Sequence, residues 1–364
     1  MTIEFPPPED PSPPYGRSAH PFFLHDMILS QPAAIHATLR GMSDRVRGIP
    51  PPAAARPLVF TGMGTSFHAA LAAAWAGDHL GWNAVPAWAA DAFELLLSLR
   101  RLDRAAGAVV FSSSGETALT LEAQRALRAA RVPQVLISGT AKSRSSDLAD
   151  HLLPTQEAEE KAWVHTVSYT TAIAAALALQ RAWSGQELPA LEEVSRFVRG
   201  VVERDAEWRT TAEELRDRPK FLILGSGAAQ ATAREAALKL REGAGRFVAA
   251  VGVEEFLHGV LPSVDGQTAV LGVAVTDLDR RRAETALAAA GRAGAKTVLF
   301  ARGARGSDAE FRPLPEVDPA VAPIVDIVPF QLLTYWLAVG AGRNPDVMGY
   351  DDPRILAARR MYGI

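Results

Sequence analysis

Three groups of polar residues have types and spacings that could do chemistry. The first, residues 112–117 (SSSGET), follows a short apolar run and precedes a helical pattern. Backbone N–H groups are free at such a strand-to-helix turn, and the helix dipole attracts an anion. The hydroxyls of Ser112, Ser114 and Thr117 add donors without adding charge. The loop therefore predicts an anion site, with a serine-rich helix cap as the alternative.

The second group is Glu235, Lys239 and Glu242, which lie along one face if this segment is helical. A carboxylate held beside a cation can move a proton between adjacent carbons of a substrate. A solvated salt-bridge stripe is the alternative. The third candidate is His258, one of eight histidines, in residues 254–259 (EEFLHG). A lone histidine of this kind is either catalytic or structural.

A framework of strands and helices must position these groups. Apolar runs at 58–61, 108–112 and 135–138 alternate with helical patterns. This alternation predicts parallel strands joined by helical crossovers, an α/β fold with helices on both faces of a doubly wound sheet. Ligands bind such sheets at the carboxyl ends of the strands. Residues 62–66 (GMGTS) and 112–117 would then face one ligand.

The pattern recurs with an offset of about 162 residues, which indicates two copies of one unit. Runs at 221–224, 270–275 and 297–300 repeat the three apolar runs of the first half. Where the first copy has its serine loop the second has Asp277, which would repel an anion. We therefore expect only the first copy to bind one. Helical stretches near 169–181 and 191–215 would join the copies.

The ends of the chain are expected to be irregular. Six prolines within residues 6–14 predict a disordered lead over residues 1–20. A helical pattern over 22–42 contains residues 30–32 (SQP), where we expect a break and a fresh start because proline suits the first turn of a helix. The predicted units are a first domain at 21–190, a second domain at 191–345 and a tail at 346–364.

Composition narrows the classes of function. The 364 residues are 48% hydrophobic and 22% charged, with a net charge of −3 and no cysteine. Disulfides, thiolate metal sites and cysteine nucleophiles are excluded, and a cytoplasmic location is expected. We expect no nucleic-acid partner, no membrane span and no signal peptide, because the sequence shows no basic stripe, no apolar run of about 18 residues and no basic patch followed by an apolar run near residue 1. We expect no metal, and the two GxG turns lack the third glycine of a dinucleotide site.

Five strings carry a resemblance to a known family. In chain order they are GMGTS, FSSSGET, EAALKLREGA, EEFLHG and DDPRILA, between about Asp26 and Ala358. They resemble the isomerase half of glucosamine-6-phosphate synthase and its sugar-isomerase (SIS) domain relatives. The resemblance implies two tandem flavodoxin-like SIS domains, a sugar phosphate as the ligand and no cofactor.

The resemblance also implies which residues hold the substrate. The phosphate would be bound by Ser112, Ser113, Ser114 and Thr117. The rest of the substrate would be contacted by Gly64, Thr65, Ser66 and Val164. Ser113 stands where the synthases usually have a glutamine, a change that would alter sugar choice. His165, in the divergent loop 163–167, could also approach the sugar.

For catalysis, the resemblance assigns the proton transfer to Glu242, with Lys239 as its electrostatic partner and Glu235 beside them. His258 would open the sugar ring, reaching into the site of a neighbouring subunit. A homodimer is therefore implied. The tail would close over the site.

Two departures bear on the reaction. The synthases carry a glutaminase domain with a cysteine nucleophile, which this sequence does not show, and their Schiff-base lysine is replaced by Ala358. Only five lysines occur, the last being Lys296. We therefore expect amino-sugar-6-phosphate deamination with aldose-ketose isomerisation. The alternatives are a fructosyl-amino-acid-6-phosphate deglycase, a synthase-like aminotransferase, a simple isomerase and a non-catalytic phosphosugar sensor.

Overall fold

The computed structural model describes residues 16–52, 56–81, 86–155, 160–303 and 308–361. Within these residues the chain forms two five-stranded parallel sheets flanked by helices. This confirms the predicted α/β class with two doubly wound sheets. Most of the predicted proline-rich lead, residues 1–15, lies outside the described residues.

The strands of the first sheet are β1 (Leu58–Gly62), β2 (Ala87–Asp91), β3 (Gly107–Phe111), β4 (Gln134–Ser138) and β5 (His151–Pro154). Those of the second are β6 (Lys220–Leu224), β7 (Phe247–Val251), β8 (Thr268–Val273), β9 (Lys296–Ala301) and β10 (Glu310–Pro313). The helices are α1 (Phe23–Arg45), α2 (Thr65–His79), α3 (Ala92–Leu97), α4 (Ala118–Ala129), α5 (Val167–Ser184), α6 (Pro189–Val202), α7 (Asp205–Leu215), α8 (Ala229–Glu242), α9 (Val253–Glu255), α10 (Asp277–Arg292), α11 (Ala322–Gly340) and α12 (Pro353–Arg359).

The two sheets share one topology. Their orders are β2-β1-β3-β4-β5 and β7-β6-β8-β9-β10, so each sheet places its first and third strands side by side at its centre. In a doubly wound sheet, ligands bind at the carboxyl ends of the two strands where the order reverses. In the first sheet these strands are β1 and β3, and they lead into the two polar loops that the sequence singles out.

Helix α1 corrects one expectation. It runs without a break through Pro32, where a fresh start was expected. Proline lacks an N–H, so the carbonyl of Ile28 loses its usual helical donor. The side-chain Nε2 of Gln31 donates to that carbonyl at 3.1 Å. A neighbouring side chain therefore replaces the missing backbone hydrogen bond, and the helix continues.

Helix α11 has the length and hydropathy of a membrane-spanning helix, but 89% of its most apolar window is buried inside the protein. Asp326 on this helix is fully buried and pairs with Arg302 at 2.6 Å. The helix packs against α6, α7 and α8. It is therefore the apolar core helix of the second domain.

One buried carboxylate joins the two ends of the described chain. Asp346 accepts hydrogen bonds from the backbone N–H groups of Arg17, Phe23 and Leu24, the last at 2.8 Å. Its own carbonyl accepts the N–H of Trp163 at 3.0 Å. The segment before α1, the start of the tail and the loop before α5 are thus held together.

Candidate active site between the two domains

The loop after β3 places backbone N–H groups at the start of a helix. The Oγ of Ser112 accepts the N–H of Gly115, and the Oγ of Ser114 accepts the N–H of Glu116, which shapes the turn. In the described part of the chain, the N–H groups of Ser113, Ser114 and Thr117 have no protein acceptor. These donors lie just before α4, where its dipole favours negative charge.

Gly115 is required by this turn. Its φ of +69° lies in the left-handed region, and a Cβ at this position would lie 2.0 Å from the Oγ of Ser143. A larger residue would meet both backbone strain and a collision. In the second loop, after β1, Gly64 also has a positive φ, +53°, directly before α2, so a larger residue there would meet backbone strain but no collision.

A narrow cleft lies between these two loops, at the switch point of the first sheet. Four of the predicted substrate residues line it, namely Thr65, Ser66, Ser112 and Ser113. Its other polar lining residues are Ser138, Thr155 and Ser168. Ser114 and Gly64 are exposed and Thr117 is half-buried farther along the two loops. The structure therefore brings the loops together, as expected from the strand order.

The charged triad of α8 faces α2 of the first domain. The Nζ of Lys239 lies 2.7 Å from Glu242 Oε2 and 3.4 Å from Glu235 Oε1. It also donates to the Oγ1 of Thr65 at 3.1 Å. Thr65 in turn donates to Glu235 Oε1 at 3.1 Å, and His68 lies 2.7 Å from Glu235 Oε2. The triad is thus joined by hydrogen bonds to the first turn of α2.

Burial excludes the solvated-stripe alternative. The side chains of Glu235 and Lys239 are 0% and 1% exposed, while that of Glu242 is 14% exposed. Glu242 is the last residue of α8. Glu235 and Lys239 of the second domain both contact Thr65, which lines the cleft of the first domain.

The buried charged groups shift one another's pKa values. Burial raises the pKa of Glu235, but the charge of Lys239 and the hydrogen bond to His68 outweigh it, so the pKa is lowered from its ordinary value. Burial lowers the pKa of Lys239, but the charges of Glu235 and Glu242 reverse this and raise it to about 12. Both groups are therefore ionised at neutral pH.

Val164 lies beside Gly243, the residue that follows Glu242. It is fully buried, and a Cβ added to Gly243 would lie 3.8 Å from its Cγ1. Trp163, beside it, packs edge to face on Tyr350 of the tail, with ring centroids 5.1 Å apart. The loop before α5 therefore contacts both the end of α8 and the tail. The tail's Ala358, at the position of the family's lysine, is exposed on α12.

His258 lies apart from the other candidates in the single chain. It occupies a π-helical turn, Phe256–Val260, that follows α9, and its side chain is 79% exposed. Its Nε2 lies 3.6 Å from Glu254 Oε2. Within the described residues, no hydrogen bond joins it to Glu242 or to the serine loop. Isolated π-helical turns occur frequently at functional sites.

In the second sheet, the loop after β8 corresponds to the anion loop of the first sheet, and a side chain of the protein occupies its N–H groups. The carboxylate of Asp279 accepts the N–H groups of Val275 and Thr276 at 2.9 and 2.7 Å, at the start of α10. Asp277, expected to repel an anion there, is 82% exposed and pairs with Arg280. In the second domain, Asp279 rather than Asp277 therefore occupies the N–H groups that could otherwise bind an anion.

Two residues of the site were missed in the sequence. His68 follows the GMGTS string by two positions, and its contact with Glu235 depends on how the domains pack. Glu160 precedes α5 and accepts the N–H groups of Thr166, Val167 and Ser168, the second at 2.7 Å. No capping pattern marks it, because the loop folds back before the helix starts.

His165 lies beside Ser168, which lines the cleft. Its Nδ1 is 3.2 Å from the Oγ of Ser168 and 3.4 Å from Glu160 Oε2. In the part of the chain that the structure describes, no group of three or more His, Asp or Glu side chains is arranged to hold a metal ion.

Comparison with known proteins agrees with this architecture. The profile of the SIS domain matches residues 53–179 and 214–341. Glutamine–fructose-6-phosphate aminotransferase (isomerizing) of Pyrococcus horikoshii is 30% identical over 300 residues, which is 79% of this chain and 50% of that protein. The Thermococcus kodakarensis protein of the same name is 29% identical over 346 residues, 91% of this chain and 57% of its own. The chain spans about half the length of these curated relatives.

The fold is also found in solved structures. The C-terminal domain of glucosamine-fructose-6-phosphate aminotransferase from Francisella tularensis has a TM-score of 0.78 at 23% identity, over 91% of this chain and 99% of that one. The two SIS matches cover most of the described chain, one in each sheet-containing half. This protein therefore belongs to the SIS domain family.

Proposed function

We propose that this protein is an enzyme that deaminates an amino-sugar 6-phosphate and isomerises it to the ketose phosphate. The observation that supports this most is the Lys239–Glu242 pair. A partly exposed carboxylate is held 2.7 Å from a buried ammonium, and that ammonium donates a hydrogen bond to Thr65, which lines the cleft beside the serine loop. Such a carboxylate can shuttle a proton while the phosphate is held in place.

In the proposed reaction, the phosphate binds the loop at 112–117 and His258 of a second subunit helps to open the sugar ring. Glu242 removes the proton from C2 and returns one to C1, which turns the C1 aldehyde into an alcohol and the C2 amine into an imine. Water then adds to C2, and ammonia leaves. The products are one ketose 6-phosphate and one ammonia for each amino-sugar phosphate and water consumed.

The position of Ala358 favours release of ammonia over its transfer. A methyl side chain cannot form an imine with the ketose, and Lys239, the one lysine of the triad, is held as an ammonium by two carboxylates. An ammonium cannot attack a carbonyl group. The homodimer and the cytoplasmic location are parts of the same proposal.

The test is an assay of ammonia and ketose phosphate from purified protein with glucosamine-6-phosphate, beside a thermal-shift panel of hexose and amino-hexose 6-phosphates. We expect equal amounts of ammonia and ketose phosphate, and stabilisation by the phosphorylated sugars but not by their unphosphorylated forms. Stabilisation without turnover would contradict the deaminase and favour the sensor. Turnover of fructosyl-amino-acid phosphates alone would favour the deglycase, and no stabilisation by any phosphate would contradict the binding loop.

A further inference from the structure

His68 contacts the catalytic triad although it belongs to the other domain. It lies in the first turns of α2, and its side chain is 12% exposed. Its Nδ1 is 2.7 Å from Oε2 of Glu235, which is fully buried. An ionised carboxylate can only accept hydrogen bonds. Since Glu235 is ionised, the Nδ1 of His68 must carry the proton that Glu235 accepts.

The remaining hydrogen bonds then have a fixed direction. The hydroxyl of Thr65 donates a hydrogen bond to Glu235 Oε1, so its oxygen lone pairs are left to accept a hydrogen bond from the Nζ of Lys239. Lys239 donates to Glu242 at 2.7 Å, its shortest contact. The network therefore runs from His68 through Glu235, Thr65 and Lys239 to Glu242.

We infer that His68 is a positioning residue for the proposed proton transfer, acting through Glu235 to keep the ammonium of Lys239 directed at Glu242. This rests on the proposed function. Without His68, one oxygen of a fully buried carboxylate loses its donor, and leaving such an oxygen unsatisfied is unfavourable. Glu235 would then hold its negative charge less readily and bind the ammonium of Lys239 more weakly, so that this ammonium is no longer fixed beside Glu242.

Replacing His68 by leucine and by asparagine separates positioning from packing, since asparagine retains an N–H donor. We expect His68→Leu to lower kcat roughly 10- to 100-fold with little change in KM, because small misplacements of a catalytic group have effects of this size. His68→Asn should recover most of the loss. His79→Leu is the matched control, on the exposed last turn of the same helix.

The pH dependence of kcat supplies a readout that a packing role would not move. His68 helps to keep the pKa of Glu235 low. In His68→Leu that pKa should rise, so kcat should fall at a higher pH on the acid side than in the wild-type protein. The other charged or titratable groups that act on Glu235 are Lys239 and Tyr169, while Glu242 and Glu160 act on Lys239.

A second measurement does not depend on turnover. The chain has five lysines, so reductive methylation followed by peptide mass spectrometry can follow Lys239 separately. We expect Lys239 to be protected in the wild-type protein, His79→Leu and His68→Asn, and to react several-fold faster in His68→Leu. If the wild-type protein turns over no amino-sugar phosphate, the proposed function fails while this measurement still decides the role of His68. Equal protection of Lys239 in His68→Leu, or an unchanged kcat, would overturn the inference.

Discussion

Lys239 is the central charged residue of the site. Its ammonium is buried between two carboxylates, which raise its pKa to about 12 against the opposing effect of burial. An amine held in this way is neither a base nor a nucleophile at neutral pH. In the proposed reaction its role is therefore to hold positive charge beside Glu242, and it would not supply the Schiff-base lysine that the resemblance places at position 358.

Removal of Lys239 tests how strongly the site depends on this charge. Lys239→Met leaves Glu235 buried without its cation, and we expect a loss of about 3 to 5 kcal/mol in the free energy of unfolding. The double variant Glu235→Gln, Lys239→Met removes both charges and should lose less. Urea denaturation at pH 7 compares them. A double variant less stable than Lys239→Met would contradict the account.

The residues of the cleft were predictable to different degrees. The serine loop and the GMGTS loop directly follow buried strands, so the sequence predicted both their residue types and their positions at the edge of the sheet. The ion pairs within α8 follow from helical spacing alone. The contact between His68 and Glu235 could not be predicted, because it joins residues far apart in sequence and depends on packing of α2 against α8.

At the scale of elements, the buried strands could be predicted from the sequence and the half-buried edge strands could not. Strands β1, β3 and β4 are buried throughout and appear in the sequence as continuous apolar runs. Strands β2 and β10 lie at sheet edges and are mostly half-buried, so neither an apolar run nor a strict alternation marks them. In α1, Pro32 signalled a break that the side chain of Gln31 prevents.

The start of α10 gives a prediction at this scale. Asp279 accepts three backbone N–H groups there, those of Val275, Thr276 and Arg280. Asp279 forms a capping box with the N-cap Thr276, and we expect Asp279→Ala to lower the free energy of unfolding by about 0.5 to 2 kcal/mol, the range for a lost helix cap. Asp277→Ala, at an exposed position two residues earlier, is the control and should change it by less than about 0.5 kcal/mol. Equal effects in denaturant titrations would contradict the capping role of Asp279.

At the scale of the whole molecule, the candidate site combines both domains. The first supplies the anion loop and the start of α2, and the second supplies the triad of α8. The duplication was visible in the sequence. The sequence predicted that only the first copy binds an anion. It named the wrong residue in the second copy, where Asp279 and not Asp277 occupies the equivalent N–H groups.

The exposed position of His258 leads to a prediction about subunits. If His258 acts in a partner's site, Glu242→Gln and His258→Ala proteins should each be inactive but regain activity when mixed and allowed to exchange subunits. Random exchange should restore about a quarter of wild-type activity, because half of the dimers contain one intact site. Activity that stays at background after exchange, confirmed by mass spectrometry of the mixed dimers, would place His258 in its own subunit's site or outside catalysis.

The central claim is that Glu242 moves a proton between C1 and C2 of a bound sugar phosphate. The most direct measurement is turnover of glucosamine-6-phosphate in D₂O, with the ketose product analysed by NMR for deuterium at C1. The wild-type protein should introduce deuterium there, because the partly exposed Glu242 exchanges the proton it takes from C2 with D₂O before it protonates C1. Glu242→Gln should slow product formation roughly 10²- to 10⁴-fold, the usual contribution of a general acid-base, while phosphosugar binding is retained. Deuterium incorporation by Glu242→Gln at the wild-type rate would contradict the account.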